Sequence, residues 1–298
     1  METTELLKKV RKIEIKTRGL SSQIFSGEYH SAFKGRGMAF SEVREYQPGD
    51  DIRAIDWNVT ARFNSPFIKI FEEERELTVM LLVDVSASEN FGTQKQIKKD
   101  LMTEICAVLA FSAIQNNDKI GMILFSDKIE KFIPPKKGRS HILRIIRELI
   151  NFTPESSGTD IELALKYFTN VIKKRSIAFL LSDFIDEKLT RENKRDSDAL
   201  KIANKKHDLV ALQITDKREK ELPDVGLIRA LDAETGKLKW VDTGNLKIRQ
   251  QYSRTSAKRD ARLKEIFTRC GIDSTTIGTS ESYIKPLMNL FKKRESKR

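Results

Sequence analysis

Four short stretches of this chain are almost purely apolar: Leu77–Val83, Ile120–Phe125, Ile177–Leu181 and Leu209–Ile214. Each has the length of a β-strand. A strand that is apolar on both sides has to be covered on both sides, which is the condition of a strand inside a parallel sheet. Between these runs the apolar residues recur at helical spacing. Ile97, Leu101, Ile105, Val108 and Ser112 predict an amphipathic helix over residues 95–115. Ile142, Ile145, Ile146 and Leu149 predict a second helix, capped by Ser140, and Ile161, Leu165, Phe168 and Ile172 a third over about 160–174. A fourth is expected at about 198–206. Strand alternating with helix implies an α/β fold built on a doubly wound, mostly parallel sheet.

Two departures from that rhythm are expected. Ile129–Ile133 should pair back on Ile120–Phe125 through the turn at Ser126–Lys128. Late in the chain, Leu227–Leu231 and Leu238–Asp242 flank Asp232-Ala233-Glu234-Thr235-Gly236, the pattern of an inserted β-hairpin. A long basic helix should follow over about 245–270, packing through Leu246, Tyr252, Leu263 and Phe267 and stopping at Gly271. Ile272–Ile277 and about 280–294 supply a last strand and helix.

Residues 1–75 read as an N-terminal extension packed on a main domain at 76–298. It begins with a helix at 4–16, carrying Leu6, Leu7, Val10 and Ile13, and continues as an irregular β layer with pieces at Met38–Tyr46 and Phe67–Phe71. Phe33, Phe40, Tyr46, Trp57, Phe63, Phe67 and Phe71 are expected to find burial there. Glu42, Arg44, Asp50, Asp51, Arg53, Asp56 and Arg62 are read as ion pairs holding this layer onto the sheet.

Composition removes several classes. Two cysteines in 298 residues exclude a disulfide scaffold, and with three histidines they leave no Cys/His zinc cluster. The first residues alternate charged with apolar side chains, unlike a signal peptide, and no apolar run reaches membrane-spanning length, so a cytoplasmic protein is expected. The net charge of +12 sits at the two ends, with 14 basic against five acidic residues in 245–298. Such an end suits a solvated helix face or an acidic partner, nucleic acid or anionic lipid.

In a doubly wound sheet ligands collect at the carboxyl ends of the strands. After Leu77–Val83 comes Asp84-Val85-Ser86-Ala87-Ser88, after Ile177–Leu181 comes Ser182-Asp183, and Thr159 precedes the third helix. Asp84, Ser86, Ser88, Thr159 and Asp183 thus form an all-oxygen set, which suits a hard cation such as Mg2+ or Mn2+. Taken singly, the serines also fit a turn after a strand, Thr159 with Glu162 fits a capping box, and Asp183 fits a strand terminator.

These residues also resemble a known arrangement. The D-x-S-x-S at Asp84–Ser88, with Thr159 and Asp183, resembles the metal-ion-dependent adhesion site of von Willebrand factor A domains. The stretch from Gly37 to Asp51, leading into Ile52-Arg53-Ala54-Ile55-Asp56-Trp57 and Ala61-Arg62, is similar to the signature of the domain-of-unknown-function 58 family. That resemblance implies a von Willebrand factor A-like, Rossmann-type fold, a bacterial source and the same five metal ligands. It also implies a non-enzymatic, metal-dependent protein-binding role, as an adaptor or chaperone component beside a MoxR-type AAA+ ATPase. Glu89 stands where many members carry Met.

Enzyme readings find little support. There is no P-loop, no dinucleotide fingerprint around Gly35 and Gly37, and no G-x-S-x-G elbow. Ser86 stands where a dehalogenase-like phosphotransferase needs a second Asp. A Mg2+-dependent hydrolase and a nucleic-acid or anionic-surface binder acting through the basic C-terminal region are the remaining alternatives.

Overall fold

The computed structural model describes residues 10, 11, 13, 14 and 17, and residues 39–296 apart from 64, 73–76, 93–95, 187–188, 190–197, 232–235 and 237. The chain divides into two compact units, Lys34–Leu77 and the remainder. Of the helix expected at 4–16, residues 10, 11, 13 and 14 are described and are helical; the rest lies outside the described residues.

In the smaller unit, β1 (Ala39–Glu45) pairs antiparallel with β2 (Phe67–Glu72), with a bulge between Phe40 and Glu42. Helix α1 (Trp57–Phe63) lies between them in sequence. Some of the charged residues have partners within the unit. Arg44 grips Asp50 with two bonds of 2.9 and 2.8 Å, Lys69 lies 3.3 Å from Asp56, and Asp51 caps the short 3-10 turn at Ile52–Ala54. The expected burial of aromatic residues is corrected here: Trp57 and Phe63 are more than two-thirds exposed. A unit this short encloses too little volume to cover them. Phe33 and the side chains of Phe40 and Phe71 lie outside the description.

The larger unit contains a six-stranded sheet. Its strands are β3 (Thr78–Asp84), β4 (Lys119–Phe125), β5 (Ile129–Lys136), β6 (Ile177–Ser182), β7 (Asp208–Thr215) and β10 (Asp273–Gly278). The order across the sheet is β10-β7-β6-β3-β4-β5, parallel except for the β4–β5 hairpin. Numbered by their sequence order within this sheet, the strands run 3-2-1-4-5-6, the doubly wound arrangement. The order reverses between β3 and β6, so the ligand-binding crevice of such a sheet belongs at their carboxyl ends. Gly121 allows β5 to close on β4, because a Cβ there would lie 2.8 Å from the Ile133 carbonyl and the Met80 sulfur.

Helices cover both faces. Met80, Leu82, Ala178 and Leu180 pack with α4 (Ile161–Val171), α5 (Asp198–Lys206) and α7 (Leu246–Cys270). On the other face Val83 shares a pocket with Met102 of α2 (Lys98–Gln115) and Leu149 of α3 (Arg139–Asn151). Also on that face, Phe179 meets Phe291 of α8 (Ile284–Ser296) edge to face at 6.4 Å. Helix α2 is not amphipathic as expected. Met102, Cys106, Leu109 and Phe111 are buried as well as Leu101 and Ile105, since α3 and the Tyr283 region before α8 pack around it. Cys106 is wholly enclosed, while Cys270, in the last turn of α7, is 8% exposed.

Three local expectations change. Gly138, not Ser140, is the N-cap of α3. Asp160, not Thr159, caps α4, its carboxylate accepting from Leu163 N. Helix α7 does end on Gly271 in the left-handed region (φ 67°) and packs through Leu263, Ile266 and Phe267, but Leu246 and Tyr252 are exposed at 57% and 37%. Its first half follows directly from the hairpin of β8 (Leu227–Leu231) and β9 (Leu238–Asp242). Between β7 and β8 lies the one-turn helix α6 (Lys217–Lys220).

Candidate metal centre

The apolar run of β3 carries the chain through the core and delivers Asp84 at its carboxyl end, fully buried. The chain then turns. Ser86 N donates to Asp84 Oδ1 at 2.9 Å, and a 3-10 turn at Ala87–Asn90 sets Ser88 and Glu89 beside it. Ser86 Oγ and Ser88 Oγ are 3.1 Å apart. The adjacent β6 ends in Ser182, whose Oγ donates to Asp84 Oδ2 at 2.7 Å and accepts from Phe184 N at 2.9 Å. Asp183 follows. Its Oδ1 accepts from Ile185 N at 2.9 Å, and its own N donates to Glu89 Oε1 at 3.2 Å. Phe184 adopts a left-handed backbone (φ 57°), a conformation costly for a non-glycine residue, held by burial and an edge-to-face contact with Phe267.

Asp84, Glu89 and Asp183 are thereby gathered, one carboxylate oxygen from each within 4.8 Å of the others. Ser86 and Ser88 stand on the same turn as Glu89. Thr159 is half-buried in the loop before α4, two residues after Ser157, whose carbonyl accepts from Ala87 N at 3.1 Å. That bond ties the Thr159 loop to the serine turn.

Four further residues were not among the sequence candidates. Glu89 and Ser182 are adjacent to them in the chain. Lys98 and Glu219 are distant. Lys98 Nζ, wholly buried, donates to Asp183 Oδ2 and to Glu219 Oε1, each at 2.6 Å. Burial, and then the charge of Asp183, push the Asp84 carboxyl up to about 7. Burial and Asp183 likewise hold Glu89 well above the carboxylate range. Burial alone would lower the Lys98 pKa, but Glu89, Asp183 and Glu219 outweigh it and hold the ammonium above its ordinary value. The group therefore has more acidic than basic side chains.

The donor set fits a hard divalent ion. Every candidate ligand is oxygen, as Mg2+ requires, and opposite oxygens of its octahedral shell lie about 4.2 Å apart, inside the 4.8 Å that bounds the three carboxylate oxygens. Glu89 Oε2 is buried and has no hydrogen-bond partner. A buried carboxylate oxygen left so is costly unless a cation or donor meets it.

The family model described as "Protein of unknown function DUF58" matches residues 42–262. The chain belongs to this family. An uncharacterized protein of Mycobacterium bovis is 26% identical over 99% of this chain and 91% of its own length. The uncharacterized protein YeaD of Bacillus subtilis is 28% identical over 37% of this chain and 25% of its own. Among solved structures, the conserved hypothetical protein BatB from Bacteroides thetaiotaomicron is 17% identical, with a TM-score of 0.47 over 74% of this chain and 99% of that one. The SpRpn10 VWA domain is 10% identical, with a TM-score of 0.36 over 74% and 95%. The strand order carries the fold assignment for this DUF58 chain, a doubly wound, mostly parallel α/β sheet. No described helix is long and apolar enough to cross a membrane.

Proposed function

We propose that this DUF58 protein is a non-enzymatic interaction module whose partner contact depends on a divalent ion, Mg2+ or Mn2+. The gathering of Asp84, Glu89 and Asp183 around an unpartnered Glu89 oxygen, at the reversal of strand order, carries this reading. Asp84, Ser86, Ser88, Thr159 and Asp183 would hold the ion, with Glu89 beside them. When bound, the ion supplies a coordination position that a partner Asp or Glu can fill. The protein's own residues do the rest: Ser182 and Ser86 N hold both oxygens of Asp84 in place, and the Phe184 turn aims Asp183. The family resemblance points to a MoxR-type AAA+ ATPase as partner.

The test is calorimetry with Mn2+ and Mg2+, followed by binding to the purified MoxR-type ATPase of the same organism, for wild type and Asp84→Ala with and without chelator. Asp84→Ala should lose ion binding and partner binding while its metal-free melting temperature holds or rises, because a repulsion with Asp183 is removed. Full, chelator-insensitive partner binding by folded Asp84→Ala would sink the metal bridge. It would favour the second reading, contact through the exposed basic residues Lys247, Arg254 and Lys258 of α7.

A further inference from the structure

Lys98 is an unusual residue for its place. It is the first residue of α2, where the helix dipole opposes a positive charge, and it is completely buried. Burying an ammonium is costly unless acids surround it. Here they do, and each of its two bonds reaches a different part of the fold. One goes to Asp183 at the end of β6, inside the candidate metal centre. The other goes to Glu219 in α6, beyond β7. Glu219 is itself fixed, its Oε2 accepting from Asp216 N at 3.0 Å. Asp216 Oδ2 in turn accepts from Thr279 Oγ1, just after β10, at 2.6 Å. A single ammonium therefore joins the carboxyl ends of three neighbouring strands.

Both oxygens of the Asp183 carboxylate already accept a hydrogen bond. Oδ1 is taken by Ile185 N and Oδ2 by Lys98. A divalent ion on either Asp183 oxygen sits beside the Lys98 ammonium on Oδ2, and the two cations repel. We infer that the Lys98 ammonium is a resident counter-cation that competes with the divalent ion for Asp183, so that loading the site shifts Lys98 onto Glu219 and couples ion binding to α6. The inference rests on the metal reading above and adds its regulation: Lys98 sets the ion concentration at which the site fills, and α6 registers the filling.

The experiment is Mn2+ calorimetry on the full chain as wild type, Lys98→Met and Glu219→Gln, with circular dichroism to check folding. Lys98→Met removes the competitor and should bind Mn2+ at least tenfold more tightly than wild type. Glu219→Gln removes the alternative acidic partner, leaves Lys98 on Asp183 and should bind several-fold more weakly. Ion binding by Lys98→Met where wild type shows none supports the same conclusion. If wild type binds and folded Lys98→Met binds equally or more weakly, the competition is overturned while the metal site stands. Should Lys98→Met fail to fold, Glu219→Gln decides, and an unchanged or tighter affinity overturns the inference. No binding by any of the three proteins removes the site reading and the competition together.

Discussion

His207 sits fully buried just before β7, its Nδ1 3.0 Å from Ser176 Oγ and its ring 4.3 Å from that of Phe168. Burial, with Lys206 and Arg175 nearby, pushes its pKa down from 6.5 to about 4. The unfolded chain therefore takes up a proton that the folded chain refuses. The stability this represents is whole above about pH 6.5 and is lost as pH falls towards 4, by up to about 1.4 kcal/mol per pH unit. Urea unfolding across that window should show the loss, and His207→Leu should flatten it; an identical slope in the variant would show that the imidazole titrates alike in both states. At the candidate centre, legibility varied with distance along the chain. Asp84, Ser86, Ser88 and Asp183 could be picked out because they lie within a few residues of the end of an apolar run. Glu89 touches the same motif, yet in sequence it reads only as a packing change, since nothing local shows that its oxygen is enclosed. Lys98 left one faint signal, a positive charge in the first turn of a helix, and Lys99 beside it carries the same one. Glu219 left none, because 121 residues separate it from Lys98 in the chain.

Among the elements, helices were read well where one face is apolar and poorly where packing surrounds them. The period in α2 marks its length, but small residues such as Ala107, Ala110 and Ala113 are buried too, and a period cannot register burial on every side. Capping was misread at α3 and α4 because Gly138 and Asp160 each lie one or two residues from an equally plausible cap. Helix α7 divides in two. Its second half is anchored by Leu263, Ile266 and Phe267, and Asn204 of α5 donates to the carbonyls of Cys270 and Gly271 at 3.0 and 2.9 Å. Its exposed basic residues have little to do with that anchoring. Arg254→Glu with Lys258→Glu should change unfolding free energy by no more than about 1 kcal/mol in total, as exposed charges do. Phe267→Ala should cost about 3–5 kcal/mol. A large loss from the charge reversal in urea titrations would make the basic face structural.

For the whole molecule, the doubly wound sheet was legible because four apolar runs separated by helical periods admit few other folds. The order in which the strands lie was not, as no residue marks its neighbour across a parallel pair. The two buried cysteines give this architecture a chemical readout. Thiol reagents attack the thiolate, and burial pushes the Cys106 thiol above its ordinary pKa. Cys106 lies in α2 against the sheet, so alkylation there waits for the whole unit to open, whereas Cys270 needs only the last turn of α7 to fray. In native buffer, modification followed by mass spectrometry should be biphasic, with Cys270 consumed first and Cys106 keeping pace with global unfolding as urea is added. Equal rates at every urea concentration would mean that α7 and the central sheet part company in one step.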